Sequence, residues 1–295
     1  MKCRSLISNK NEINSMGIPC AYFSNIFLRM KNIFLIVILA ISFASCSEYQ
    51  KVLSGDSTAK KYAMADSLYT AGKYLKSVRV MEQIIPAYRG KPQGQKLMYL
   101  YANAYYNLED YILASYQFER FTVSYPKSDS VEVAAFKSAR SYYKLSPSHS
   151  LDQQDTNTAL DKLQGFINSY PESDKRKEAN EMVKNLREKL DKKAYETANQ
   201  YLRISDYKAA INAFDNFVTN HPGSEFRKDA FYGRLIASYE LAINSLPRLV
   251  EERLTTSAGH YNSFKKYYAD SELNVEAEKI KEDIDKRLLK IQNPS

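Results

Sequence analysis

The strongest constraint on the fold of this chain is a helical pattern in residues 195–222. Apolar and small residues recur there at the spacing of two short amphipathic helices: Ala198, Tyr201, Tyr207, Ala210, Phe214 and Phe217. Ser205 and Asp206 interrupt the pattern, and Pro222 ends it. The segment is therefore predicted to be an antiparallel helical hairpin. A hairpin this small buries too little surface to be stable alone, so it predicts neighbours of its own kind.

Other parts of the chain repeat this pattern. A second copy has identical internal spacing: Tyr105, Tyr111, Ala114, Phe118, Phe121 and Pro126. A third has a turn lengthened by the polar run 146–155: Ala139, Tyr142, Ala159, Leu163, Phe166 and Pro171. A looser first copy contains Ala65, Leu68, Gly72, Tyr74, Ser77 and Met81, and a degenerate fifth contains Tyr239, Ser257, Tyr261 and Phe264. The predicted hairpins cover 57–90, 95–126, 129–171, 175–222 and 225–269.

These residues resemble the tetratricopeptide repeat, which has a period of about 34 residues and a similar aromatic, Gly, Ala, Phe and Pro pattern. The closing prolines lie in the junctions YPKSD, YPESD and HPGSE, where Ser or Asp is expected to cap the next helix. The predicted fold is all-α: a solenoid of about five hairpins over residues 57–291.

The end of that solenoid is a charged helix predicted at residues 273–291. Its apolar residues Ile280, Ile284, Leu288 and Ile291 form one stripe. The helix is expected to cap the solenoid, or to serve as a docking surface for a protein partner, or both.

The N-terminal region has the pattern of an export signal. Arg29 and Lys31 precede an apolar run over 33–44, which is too short to span a bilayer, and small residues then precede Cys46. This resembles the bacterial lipobox, which implies that residues 30–45 are a lipoprotein signal peptide and that Cys46 is acylated. The alternative is an ordinary signal peptide followed by an incidental cysteine. Residues 1–29 are interpreted as an over-extended start, and 46–56 as a lipid-anchored polar tether.

Removal of this signal would change the charge balance. The whole chain carries 42 basic and 34 acidic residues, a formal charge of +8. The first 45 residues hold five basic residues and one acidic residue, which leaves 37 and 33, a charge of +4. The remaining charges alternate along the helices, so nucleic-acid binding is not expected. Cys3 and Cys20 are lost as well, so neither a disulfide nor a cysteine metal site is predicted.

Residues that carry chemistry are sparse. The sequence contains no HExxH, no GxSxG and no glycine-rich phosphate loop. His221 takes the place of Tyr125 and Tyr170 and is expected to be a turn or packing residue, His149 lies in the polar insert, and His260 has no partner at ligand spacing. The chain is therefore expected to be no enzyme and to have no metal and no cofactor other than a covalent lipid on Cys46.

A binding surface is predicted on the first helix of each hairpin. Offsets of minus three, plus one and plus four from Ala65, Ala102, Ala139 and Ala198 share one helical face. The predicted groove consists of Tyr62, Asp66, Tyr69, Tyr99, Asn103, Tyr106, Phe136, Arg140, Tyr143, Tyr195 and Asn199, with Leu202 in the last place. It is expected to take an extended peptide that contains aromatic residues, with Asn103 and Asn199 holding the peptide backbone. The alternative is that these aromatics pack between successive repeats.

A lipobox followed by about five such repeats with YPxSD-type junctions resembles the BamD family of outer-membrane assembly lipoproteins. The resemblance implies an anchor in the outer membrane, a body in the periplasm, unfolded outer-membrane proteins as clients, and a BamA-like barrel protein as partner, with other assembly lipoproteins possible. The competing interpretation is an envelope or surface scaffold for glycan uptake or cell-wall work.

Overall fold

The computed structural model describes residues 47–293. Over this range the chain forms twelve α-helices and no strand, which confirms the predicted all-α solenoid. The predictions for 1–29, for the signal peptide 30–45 and for Cys46 lie outside the described residues. The helices are α1 (Ser47–Ser54), α2 (Thr58–Thr70), α3 (Tyr74–Tyr88), α4 (Pro92–Asn107), α5 (Tyr111–Ser124), α6 (Val131–Leu145), α7 (Gln154–Ser169), α8 (Arg176–Arg203), α9 (Tyr207–Asn220), α10 (Arg227–Ile243), α11 (Pro247–Tyr267) and α12 (Asn274–Gln292).

Five hairpins pair α2 with α3, α4 with α5, α6 with α7, α8 with α9 and α10 with α11. Each helix packs against the next along the chain. First helices also touch across hairpins, as α2 touches α4, α6 touches α8, α8 touches α10 and α10 touches α12. The chain therefore runs up and down, and all turns within hairpins lie along one edge of the solenoid while all junctions between hairpins lie along the other.

Three of the turns within hairpins use a left-handed residue to end the first helix. That residue is Gly72 (φ 71°), Glu109 (φ 59°) or Ser205 (φ 62°). The next amide N–H then bonds a carbonyl five residues back, as Asp206 N does with Tyr201 O at 3.0 Å. Asp206 also caps α9 by accepting from Ala209 N at 3.2 Å. At the Ser205-Asp206 break, Ser205 therefore ends α8 and Asp206 caps the start of α9.

The junctions between hairpins are turns built on serine. Serine hydroxyls accept the amide N–H two residues later, at 3.1–3.3 Å: Ser128, Ser173, Ser224 and Ser271. None of the residues that precede α6, α8, α10 and α12 makes a side-chain cap. The expectation that Ser or Asp of the junction caps the helix is therefore wrong, because the serine orders the turn before the helix instead. The last junction keeps this geometry with Ala269 in place of proline.

One helix belongs to two parts of the core. The 28-residue α8 packs its first half, including Met182 and Leu186, against the third hairpin. Its second half places Ala198 among the residues that surround Phe214 and Phe217. The long spacing between Pro171 and Pro222 arises from this continuous helix.

The predicted tether 46–56 is not a simple polar linker. Most of it forms α1, and Tyr49 and Leu53 of α1 pack against the core of the first hairpin. The Tyr49 hydroxyl donates to Lys76 O at 3.5 Å, and Lys76 Nζ lies 5.3 Å from the centre of the Tyr49 ring. The start of α1 is therefore held beside the turn between α2 and α3.

At the other end, α12 packs on α10 and α11. Ala277 and Ile284 are fully buried, and Ile280 and Leu288 pack partly buried against the same region. Ile291, the last residue of the predicted stripe, is 39% exposed, and its neighbour Leu289 is 59% exposed. The helix thus covers the last hairpin and leaves its own final turn uncovered.

Candidate peptide-binding groove

The predicted aromatic residues lie on the first helices, where most keep some accessible surface. Six tyrosines are partly buried: Tyr62, Tyr69, Tyr99, Tyr106, Tyr143 and Tyr195. Phe136 is different, since it is only 3% exposed and its ring lies 5.3 Å from that of Phe166. Phe136 therefore belongs to the core of the third hairpin and has almost no surface for a ligand, so its prediction as a groove residue is wrong.

The tyrosine rings pack mainly on the second helix of their own hairpin. The Tyr99 ring centre lies 5.4 Å from Phe121 and 6.3 Å from Phe118. Tyr62 contacts Tyr88 in the same way at 5.2 Å. Packing between repeats also occurs, because Tyr195 stacks on Phe226 of the following hairpin at 5.2 Å and 15°. The rings are thus fixed by the fold from one side and partly accessible from the other.

Burial also raises the pKa of four of these tyrosines. It is the largest cause that raises the pKa of Tyr62, Tyr69, Tyr106 and Tyr195. At Tyr195 the side chain of Asn199 partly opposes the rise in pKa, which places the predicted Asn199 beside this ring. A phenol is already neutral at pH 7 at its ordinary pKa of about 10, and the raised pKa of these four residues keeps their O–H donors to a still higher pH.

The polar residues between the rings bridge successive hairpins. Asp66 Oδ1 lies 3.0 Å from Lys96 Nζ of α4, and Arg140 Nη1 lies 3.2 Å from Glu178 Oε1 of α8. Both pairs are partly exposed to water, where an ion pair contributes about 0–1 kcal/mol. They connect neighbouring first helices and add little to the stability of the fold.

Asn103 forms a third bridge between neighbouring hairpins, and this one is buried. It is 4% exposed, donates from Nδ2 to Tyr99 O at 2.7 Å and accepts from Lys137 Nζ of α6. Its amide is therefore engaged on both sides. The expectation that Asn103 holds the backbone of a bound peptide is wrong, because the side chain is only 4% exposed and each of its polar atoms already has a partner inside the fold.

Lys137 is the groove residue that the sequence reasoning missed. Its Nζ lies 5.7–5.9 Å from the ring centres of Tyr99, Tyr106 and Phe118. Burial, with a smaller contribution from the Arg140 charge, lowers the pKa of Lys137. A signal was available, since Lys137 precedes Arg140 by three residues and so shares its helical face.

The fifth hairpin continues the tyrosine series with two residues that were also missed. Counting from the junction serine, Tyr232 and Tyr239 occupy the places of Phe136 and Tyr143. The Tyr232 ring lies 5.8 Å from Phe264 of α11, and the Tyr239 hydroxyl donates to Asp283 of α12 at 2.7 Å. The alignment of first helices on a buried alanine did not include them, because Leu235 occupies the alanine position in this hairpin.

Outside this surface, the three histidines have structural partners or partial burial. His221 stacks on Phe217 at 4.8 Å and pairs through Nδ1 with Asp191 Oδ1 at 2.7 Å. Between residues 47 and 293, no group of three or more potential ligand side chains could hold a metal ion. None of the helices in that part of the chain combines the length and apolar character that crossing a membrane requires.

This architecture defines an α-solenoid of tetratricopeptide type with an aromatic face along its first helices. The model of the YfiO family, described as outer membrane lipoprotein, matches residues 55–254. The chain belongs to this family. Among solved structures, the chain is similar to the TPR2AB domain of yeast Sti1, solved as a complex with pHSP90. The identity is 12% and the TM-score 0.36, over 77% of this chain and 98% of that one.

Proposed function

We propose that this protein is a non-enzymatic receptor and scaffold in the assembly of outer-membrane β-barrel proteins. It binds unfolded outer-membrane proteins through the tyrosine face of its N-terminal hairpins and a BamA-like barrel protein through its C-terminal hairpins. A lipid on Cys46 anchors it in the outer membrane with its body in the periplasm. Family membership supports this proposal, together with the partly accessible tyrosines on the first helices.

The contacts described above favour binding by aromatic stacking. Tyr62, Tyr99 and Tyr195 are each fixed against an aromatic ring of the fold. Their conformational entropy is already lost, so little more is lost when a peptide binds. An extended segment rich in aromatic residues would stack on the accessible sides of these rings and accept hydrogen bonds from their hydroxyls.

Lys137 adds positive charge beside Tyr106, while the charge of Arg140 is paired with Glu178. Charge in this position favours a peptide that carries aromatic faces together with a carboxylate, because both attract cations. The groove therefore suits unfolded β-strand segments that end in, or contain, an acidic group near an aromatic residue.

The experiment is to replace tyrosine rings without emptying the core. In the double variant Tyr106→Leu/Tyr143→Leu the apolar bulk remains and two rings disappear. Each aromatic pair contributes about 0.5–1.5 kcal/mol, so the affinity for a labelled, aromatic-rich strand peptide should fall about tenfold. Fluorescence anisotropy measures the affinity, and the urea midpoint followed by circular dichroism verifies that the fold is intact.

Tyr116→Leu is the matched control. Tyr116 lies on α5, a second helix, and is 53% exposed. Its replacement should leave peptide affinity unchanged. Equal affinities for the double variant and this control would refute peptide binding by the tyrosine face.

The partner is tested separately, by affinity purification of the acylated protein from detergent-solubilised membranes. Recovery of a large barrel protein, lost on truncation of α12 or on charge reversal in the fifth hairpin, supports the assembly function. Recovery of glycan-uptake components in its place would favour the envelope-scaffold interpretation.

A further inference from the structure

The edge of the solenoid that carries the turns within hairpins exposes aliphatic side chains, most of all at the second turn. The first turn exposes Leu75 (56%) and the second exposes Leu108 (37%), Ile112 (67%) and Leu113 (37%), whereas the other three turns expose one each: Leu151, Ile204 and Leu246. The first two turns are neighbours, since α2 contacts α4 and the side chain of Asn107, beside the second turn, lowers the pKa of Tyr69, beside the first. The exposed aliphatic side chains of these two turns therefore form one surface, which we call the turn edge.

Positive charge lies at the first of the two turns. Lys73 and Lys76 are exposed there, whereas the second turn carries the exposed Glu109 and the partly buried Asp110. A mixture of protruding aliphatic side chains and lysines is typical of surfaces that lie in the headgroup region of a membrane. The junctions along the opposite edge, such as YPKSD, consist mainly of polar residues, and the exposed aliphatic residue nearest to the YPKSD junction is Val123.

The position of α1 indicates what covers this surface. Tyr49 contacts Lys76 at the first turn, so Ser47, two residues earlier, lies at the same edge of the solenoid. Cys46 precedes Ser47 directly. An acyl chain on Cys46 would bring the bilayer to this edge of the solenoid, so that the turn edge would face the membrane surface.

We propose that the turn edge of the first two hairpins rests on an anionic phospholipid surface. Leu75, Leu108, Ile112 and Leu113 insert among the headgroups, and Lys73 and Lys76 contact lipid phosphates. This goes beyond the receptor function and rests on the proposed acylation of Cys46. It gives the solenoid a fixed orientation on the membrane rather than free rotation about a lipid tether.

Helix α5 offers a matched pair of positions for the test. Ile112 lies in its first turn and Val123, which is 81% exposed, in its last, about 16 Å apart along the helix. Ile112→Cys and Val123→Cys are each labelled with an environment-sensitive fluorophore in the acylated protein. The protein is then reconstituted into phosphatidylglycerol-containing vesicles that carry a quencher on the lipid chains.

The probe at 112 should be blue-shifted and quenched at least about twofold more than the probe at 123, with a smaller difference in purely zwitterionic vesicles. Equal quenching at both positions would overturn the proposal. A blue shift at 112 without quenching would also overturn it, since that result means contact with protein.

Intact mass and vesicle flotation separate this inference from the anchoring itself. An unacylated protein that does not float with vesicles would contradict the proposed anchor. The same labelled variants, attached through an N-terminal histidine tag to nickel-chelating lipid, would then decide the orientation of the turn edge.

Discussion

Replacing glycine with alanine at three helical positions should change the free energy of unfolding in a direction that depends on the packing around each glycine. A Cβ added at Gly233 in α10 would lie 2.5 Å from the Phe214 ring of α9, and Phe214 is fully buried. A Cβ at Gly165 in α7 or at Gly259 in α11 would meet nothing within 4 Å. Gly to Ala in a helix interior stabilises by roughly 0.8–1.0 kcal/mol when nothing else changes. We therefore expect Gly165→Ala and Gly259→Ala each to raise the free energy of unfolding by up to about 1 kcal/mol.

At Gly233 the same gain is opposed by overpacking. A buried ring that must shift costs about 1–3 kcal/mol, so Gly233→Ala should lower stability by roughly 0–2 kcal/mol. Its free energy of unfolding should lie about 1–3 kcal/mol below those of the two control variants. Urea denaturation followed by circular dichroism measures all three. If Gly233→Ala proved as stable as Gly165→Ala, the Phe214 ring would have room to move, and the close approach of α9 and α10 would not depend on glycine.

Two further predictions concern backbone strain and pH. Ser205 and Glu109 have a positive φ, a backbone conformation that is unfavourable for a residue with a side chain. Ser205→Gly and Glu109→Gly should therefore each stabilise the protein by about 1 kcal/mol. An unchanged urea midpoint would refute this. Burial, then the Arg234 charge, lowers the pKa of His260, although Asp215 opposes the shift. The unfolded state then binds the proton more readily, so stability should fall as pH drops below about 6.5. His260→Gln should reduce the difference between urea midpoints at pH 7.5 and 5.5, and an equal difference in both proteins would contradict it.

The fold was predictable because the repeat pattern indicates which residues of each helix are buried. Ala210 and Phe214 are fully buried and Phe217 nearly so, at the places that helical spacing assigns to the core. Small residues opposite large rings leave one way to pack two short helices, and the five copies then have to stack. The docking of α1 was not predictable in this way, because its eight residues carry only Tyr49 and Leu53 as apolar contacts.

The groove was predicted less well, since helical offset gives the face of a residue but not its partner. Asn103 and Lys137 are 34 residues apart, and Asp66 and Lys96 are 30 residues apart. Only the stacking of hairpins brings these pairs together. The same limit applies to the polar insert, where Lys193 of α8 donates to Leu151 O at 2.7 Å and Gln153 is 6% exposed.

The use of the polar groove residues inside the fold changes what the groove can recognise. With Asp66, Asn103 and Arg140 paired to other residues, a bound peptide meets ring faces, phenol O–H groups and the Lys137 ammonium. Stacking on rings depends little on the register of the peptide, whereas backbone hydrogen bonds to fixed amides would impose one. We therefore expect the affinity for a peptide to follow its aromatic content more closely than the order of its residues. A receptor of this kind suits clients that share alternating aromatic strands without sharing a sequence.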